Sequence, residues 1–186
     1  MTPSDDRALM LRLAQGDRDA LAPLMERFSP RVYRIALSYL RDPDEALDAV
    51  QETFVKAMLH AARWDTTSAV GPWLMKIAVN HSIDVYRRGK RRGARIQSWD
   101  DGMPEERFAG DEPSPESAAR GRQIGARIAQ ALQTLPDAHR AVFTLRHYDG
   151  MSLEEIASTL GLSLGTVKSS LHRAVHRLRE RLEELR

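Results

Sequence analysis

The 186-residue chain contains no cysteine, which excludes a disulfide framework, a thiolate zinc site and a cysteine nucleophile. No apolar run approaches the roughly 20 residues needed to span a bilayer. The N-terminal MTPSDDRALM carries an acidic pair where a secretory leader has basic and apolar stretches. A cytosolic protein without membrane insertion is expected. A glycine-rich phosphate loop, HExxH and G-x-S-x-G are all missing. The acid-rich pieces DPDE and DDGMPEE read as a helix start and a connecting segment, so no carboxylate pair is placed for acid–base work. No catalysis, cofactor or metal is expected.

Charge is present in quantity and is unevenly placed. The net charge is only +2, but Lys plus Arg minus Asp plus Glu gives 16 − 12 = +4 for residues 1–95, 1 − 7 = −6 for 96–118 and 11 − 7 = +4 for 119–186. Two basic blocks around an acidic segment suit a polyanionic partner, although two solvated helical domains on a charged linker give the same pattern. The acidic segment holds Gly102, Pro104, Gly110, Pro113 and Pro115 and reads as a flexible linker. Fully extended, it reaches at most about 75–80 Å.

The remainder reads as helix, an all-α chain of two small helical domains: an N-terminal bundle over 1–95 and a C-terminal domain over 119–186. Leu9 and Leu13 mark a short leading helix, and Asp17 or Asp19 caps the next, whose stripe is Leu21, Leu24, Met25, Phe28, Val32, Ile35, Ala36 and Tyr39. Pro30 should kink or split it. Asp42-Pro43-Asp44-Glu45 opens another helix as cap, first-turn proline and back-reaching glutamate, with Leu47, Val50, Phe54 and Met58 as its buried side. Gly71-Pro72 opens the next, which buries Leu74, Ile77, Ala78, His81 and Val85. Beyond the linker, Ser114-Pro115-Glu116 starts a helix with Ile124, Ile128 and Leu132 on one side. Leu135-Pro136 ends it and begins another carrying Val142, Phe143 and Leu145. Ser152 to Glu155 is a capping box, Gly161 a left-handed stop, and Ser163 the cap of a last helix that buries Val167, Leu171, Ala174, Leu178 and Leu182. A short helix, a three-residue turn and a longer helix make a helix-turn-helix.

The exposed side of the last helix offers Lys168, Ser169, His172, Arg173, His176 and Arg177, with Thr166 and Ser170 nearby. Short polar donors and arginines in that order suit base edges and phosphates in a major groove; a plain solvated basic face is the alternative. His172 and His176 lack a third metal ligand. The first domain ends in Arg87, Arg88, Lys90, Arg91, Arg92 and Arg95, and the same helix face carries Asp84, Asn80, Lys76 and Trp73, a ridge suited to unpaired nucleic acid. The small polar loop Trp64 to Gly71 before it could shape a pocket for an extruded base. Asp48, Gln51, Glu52 and Lys56 beside Phe54 mix charge with an aromatic, as a protein-docking helix or an ordinary amphipathic one would.

Three stretches, LRDPDEALDAVQETFVKAM at 40–58, GPWLMKIAVNHSIDVYRR at 71–88 and DGMSLEEIASTLGLSLGTVKSSLHRA at 149–174, together resemble the two-domain bacterial RNA polymerase sigma factors of the extracytoplasmic-function class. The resemblance covers nearly the whole chain. It implies that Asp48, Gln51, Glu52, Thr53, Phe54 and Lys56 dock on the clamp coiled coil of the polymerase largest subunit. It implies that the loop Trp64 to Gly71, with Thr66 and Ser68, and the residues Lys76, Asn80, Asp84, Arg87 and Arg88 melt and hold the promoter −10 element. Lys168, Ser169 and His172 match positions that read −35 bases. Thr166, Ser170 and Arg173 match phosphate contacts, with Arg177 along the same face and Arg146 as a further DNA contact. The linker matches one threaded through the polymerase cleft, and the polymerase flap and an anti-sigma factor are further implied partners. Ser170 stands where the family often has Arg, and His172 brings a titratable ring, so the −35 preference stays open.

For such a promoter-specificity subunit the expectation is that the free domains are held together, by a partner or by weak contacts, with both DNA faces masked, and that they part along the linker on polymerase. A polymerase-independent helix-turn-helix regulator is the alternative, but it leaves the first domain without a role. A sigma mimic that sequesters an anti-sigma factor should have a degraded DNA face, and this chain does not.

Overall fold

The computed structural model describes residues 3–91, 125 and 127–184, all of whose regular structure is helical. The N-terminal half is built from α1 (Pro3–Ala14), α2 (Leu21–Leu40), α3 (Pro43–His60) and α4 (Val70–Arg91), with single 3-10 turns at Arg18–Ala20 and Ala61–Arg63. The C-terminal half has a helical segment at 127–132, then α5 (Asp137–His147), α6 (Leu153–Leu160) and α7 (Leu164–Glu184). The expected helix start at Ser114-Pro115-Glu116, Ile124 and the acidic linker lie outside the described residues.

Local chemistry sets most of the boundaries. Asp17 caps the first 3-10 turn by accepting from the Asp19 amide. Asp42 accepts from the Asp44 and Glu45 amides, with Pro43 at the first position of α3. Ser152 and Glu155 form a complete capping box: each side chain bonds the other's backbone amide, at 3.1 and 2.8 Å. Gly161 ends α6 at φ +68°, where a side chain would be strained. The Ser163 hydroxyl accepts from the Thr166 amide at 3.1 Å and starts α7. Pro30 does not split its helix; α2 runs unbroken through it.

In the first half α2, α3 and α4 each pack on the other two, with α1 lying mainly on α2. Their core is Leu24, Phe28, Val32, Ile35, Phe54, Leu74 and Met75, joined by Leu9, Met10 and Leu13 from α1. Leu47 departs from the expected stripe: it is 52% exposed, because the buried side of α3 is Ala46, Ala49, Val50, Thr53, Phe54 and Ala57. In the second half α7 lies across α5 and α6. It buries Val167, Ser170, Ala174 and Leu178.

The two halves touch. α6 packs on α4, and α5 meets both α2 and α4. Val142, Leu145, Met151 and Ile156 are continuous with the N-terminal core, while Ala131, Leu132, Leu135, Ala174 and Leu178 form a second cluster further out. No helix among the described residues is long and apolar enough to cross a membrane.

Candidate nucleic-acid interface

Residues 167, 170, 174 and 178 recur at helical spacing, so α7 turns that side inward and the opposite side outward. Thr166, Lys168, Ser169, His172, Arg173, His176 and Arg177 are all exposed. Near the helix start the Ser163 and Thr166 hydroxyls lie 2.8 Å apart, and Ser169 donates to the Thr166 carbonyl, so these hydroxyls are pre-positioned by the turn. Ser170 is corrected: it is 6% exposed and sits on the packed side, where a small residue lets α7 approach its neighbours. Its side chain is turned away from the exposed face in this geometry. Arg146 is exposed at the end of α5, and its Nη1 donates to the Met151 carbonyl at 2.9 Å, bracing the turn that enters α6.

On α4, Lys76, Asn80, Asp84 and Arg88 repeat every fourth residue and are all exposed, forming one polar ridge. Arg88 Nε donates to the Asp84 carbonyl at 3.2 Å. Arg87 lies off that ridge and is bound to Asp137 of α5 at 2.7–2.8 Å. The loop before α4 holds its own shape. Asp65 accepts from the Thr67 amide and hydroxyl at 2.9 and 2.8 Å, and the Ser68 amide and hydroxyl donate to the Asp65 carbonyl. The Thr67 bonds hold the Asp65 carboxyl below the usual carboxylate range. Asp-Thr-Thr is a turn signal carried by the sequence itself: a short acceptor side chain two residues before the amide it binds. Thr66 and Ser68 are exposed. Trp64 departs from the expected exposed position: at 5% exposed its ring sits in the core and anchors the loop. Trp73 is half-buried against the same core.

Closure of the halves does not mask these faces, contrary to the expectation. Both the α7 face and the α4 ridge remain exposed, because the halves meet through α5, α6 and the inner sides of α2 and α4. Only the loop is partly enclosed. A cleft of about 620 Å³ runs between it and the C-terminal half, with Thr67, Ser68 and Gly71 on one wall and Asp149, Met151 and Glu155 on the other.

The docking surface expected on α3 is partly corrected as well. Asp48, Gln51 and Glu52 are exposed, but Thr53 and Phe54 are 0% and 1% exposed, and the Thr53 hydroxyl donates to the Ala49 carbonyl inside the bundle. Lys56 is half-buried, with its ammonium 2.7 Å from His81 Nδ1 on α4. The apolar residues that do face out are Leu47, Val55 and Leu59, at 52%, 43% and 67% exposed. Steps of eight and four residues align them in one stripe beside Asp48 and Glu52.

Comparison with known proteins matches the two halves separately. Sigma-70 region 2 matches residues 24–92, and Sigma-70, region 4 matches residues 125–178. The chain is 30% identical to the ECF RNA polymerase sigma factor SigW of Bacillus subtilis (strain 168), over 94% of this chain and 95% of that protein. Among solved structures, CnrH in complex with the cytosolic domain of CnrY has a TM-score of 0.72 at 27% identity, over 97% of this chain and 98% of CnrH. The sigma factor RpoE in complex with the anti-sigma factor NepR from Bartonella quintana has a TM-score of 0.65 at 26% identity, over 87% of this chain and 96% of RpoE. A chain that carries both regions in this order and matches such relatives end to end belongs to the sigma-70 family, as an RNA polymerase sigma factor of the extracytoplasmic-function class.

Proposed function

We propose that this sigma factor works as a two-point promoter reader with no catalysis of its own, acting in the cytoplasm on core RNA polymerase. Residues 1–95 bind the polymerase and unpaired −10 bases, residues 119–186 read the −35 duplex, and residues 96–118 tether them. The observation that carries this reading is the register of α7. Val167, Ala174 and Leu178 are packed while Lys168, Ser169, His172 and Arg173 face solvent together, as base-edge and phosphate contacts in a major groove require. The α4 ridge of Lys76, Asn80, Asp84 and Arg88, with the Asx turn at Asp65, supports capture of single-stranded −10 bases. The outer face of α3 supports polymerase docking, with Leu47, Val55 and Leu59 as apolar anchors beside the charges of Asp48 and Glu52.

Length makes opening obligatory. Elements centred near −35 and −10 lie about 25 base pairs apart, or about 85 Å at 3.4 Å per pair. A compact chain of this length has a radius of gyration of about 16 Å and is about 40 Å across. The closed form cannot engage both elements of a straight duplex, whereas a 23-residue tether extends to about 75–80 Å. The structures of CnrH and RpoE were solved with bound partners, in RpoE's case an anti-sigma factor. An anti-sigma factor is accordingly a proposed partner here.

In vitro transcription with core polymerase tests the reading: start sites should appear downstream of one recurrent pair of elements. A chain that never supports initiation, or that binds a palindromic operator tightly as a dimer without polymerase, overturns it.

A further inference from the structure

We propose that the chain closes on itself without any partner, and that Arg140, seated between the rings of Tyr39 and Tyr86, is the bolt of that closure.

Arg140 belongs to α5 in the C-terminal half and is 1% exposed. Its guanidinium carbon lies 5.1 Å from the Tyr39 ring centroid and 4.6 Å from that of Tyr86. Those rings come from α2 and α4, in the other half. Its hydrogen bonds go to Gln133 Oε1 and the Gln133 carbonyl, both at 3.1 Å, and to the Leu135 carbonyl at 3.5 Å, so the acceptors are neutral oxygens of its own half. A buried cation is costly unless something compensates its lost hydration. Here the compensation beyond those oxygens is two aromatic faces, and it exists only while the halves are together.

Gln133 extends the same device. Its Nε2 donates to the Tyr39 carbonyl at 3.0 Å while its Oε1 receives Arg140. Tyr39 is in the last turn of α2, where backbone carbonyls have no partner within the helix. A side chain from the C-terminal half therefore caps the end of an N-terminal helix, and Arg140 holds that side chain in place.

A second tie runs in the opposite direction. Arg31 of α2 grips Asp149 with both arms, Nε to Oδ1 at 2.6 Å and Nη2 to Oδ2 at 2.8 Å, and the Asp149 side chain is 1% exposed. Arg31 reaches it beneath Gly71, where an added Cβ would lie 3.2 Å from the guanidinium, and its charge also faces the Phe28 ring at 5.4 Å. Arg87–Asp137 is a third, exposed tie at the rim. Each half thus sends a cation into the other, around the apolar contact of Val142, Leu145, Met151 and Ile156. A seam this polar can separate into water without exposing a wholly apolar surface, as reversible domain contacts do. None of Arg31, Tyr39, Arg140 and Asp149 lies on the exposed α7 face or the α4 ridge, so the two buried ties are separate from the reading surfaces; only the rim tie uses a residue, Arg87, expected to meet −10 DNA.

The absence of cysteine allows a direct test on the full chain. Ala22→Cys on α2 and Ser158→Cys on α6, both at exposed positions, take a donor and an acceptor dye for single-molecule energy transfer. In about 0.15 M NaCl, with no partner present, the expected result is a dominant high-transfer population that shifts to low transfer as salt rises. Arg140→Met should raise the open-to-closed ratio at least tenfold. Arg140 also braces its own half, so Tyr86→Leu and Asp149→Asn are measured beside it, with helicity checked by circular dichroism; each should open the chain without loss of helix. A wild-type chain that is mostly open, or a ratio unmoved by Tyr86→Leu, overturns the proposal. The consequence for polymerase rests on the sigma-factor reading: the opened variants should bind core polymerase more tightly by the same factor, because the competent fraction is larger. Failure of every variant in transcription would sink that reading while leaving the energy-transfer result intact.

Discussion

The Lys56 ammonium and His81 Nδ1 are 2.7 Å apart and tie α3 to α4. The lysine must donate, so the ring nitrogen accepts and the imidazole is neutral. Burial first, and then the Lys56 charge, hold the His81 pKa below its ordinary 6.5; Arg88 acts in the same direction, and Glu52 and Asp84 oppose it. The folded chain therefore resists a proton that the unfolded chain accepts. Stability from this source is complete above pH 6.5 and is lost as pH falls through 6.5 toward the lower folded value. His139 and His147 are also held low, mainly by burial, and add to the same trend. The unfolding midpoint should drop between pH 7.5 and 5.5, and His81→Gln, which keeps an acceptor for Lys56, should make that drop smaller. A pH profile identical in the variant would remove His81 from this account.

Leu59 and Phe54 sit on the same helix and should behave in opposite ways. Phe54→Ala removes a ring that is 1% exposed, and should cost about 3–5 kcal/mol of stability. Leu59→Asp changes a side chain that is 67% exposed, and should leave stability within about 0.5 kcal/mol. If the stripe of Leu47, Val55 and Leu59 docks on polymerase, Leu59→Asp should nevertheless weaken core binding at least tenfold. Unfolding curves and a polymerase titration separate the two effects, and unchanged polymerase affinity would end the role of the stripe.

What was legible in the sequence was local. The Ser152–Glu155 box, the Gly161 stop and the Asp42-Pro43 start are decided within four residues, and the structure has each of them except the back-reaching Glu45. The register of α7 was legible from Val167, Ala174 and Leu178, but Leu171 and Leu182 are only partly buried and Ser170, expected outside, takes a packed position. On α3 the pattern was ambiguous: alanines at 46, 49 and 57 carry the packing, so Leu47 reads as core, and Phe54, core by periodicity, is also assigned to docking by the resemblance. Trp64 was misplaced because a large aromatic in a polar loop fits a plug as well as a stacking platform. The seam was not legible at all. Arg31 and Asp149 are 118 positions apart, and neither periodicity nor capping relates residues across a linker. Arg140, early in α5, gave no sign that two tyrosines 54 and 101 positions away would enclose it.

Lys168 and Arg173 are both exposed on α7 but should fail differently. Lys168 stands near the helix start, at a position matching base readers, and Lys168→Ala should cost about 1–3 kcal/mol on the preferred −35 duplex and little on others. Arg173, further along, should act on phosphate. Arg173→Ala should weaken all duplexes alike and lower the salt slope by about one. Competition binding over a set of −35 variants at two salt concentrations distinguishes them; a sequence-independent loss with Lys168→Ala would move it to the phosphate class.

Asn80 offers the sharpest separation of reading from melting. It is exposed at the middle of the α4 ridge, one turn from both Lys76 and Asp84. Its amide can both donate and accept, as contact with the Watson–Crick edge of an unpaired base requires. Asn80→Ala removes no buried contact, so the fold and −35 binding should be unchanged. Holding an extruded base must offset a few kcal/mol of unstacking, so losing one good contact should reduce the open-complex fraction several-fold. Permanganate reactivity of −10 thymines, measured with holoenzyme on linear promoter DNA, reports that fraction directly. Normal reactivity in the variant would mean that the ridge does not hold the melted strand, and the −10 role would pass to the Thr66–Ser68 loop alone.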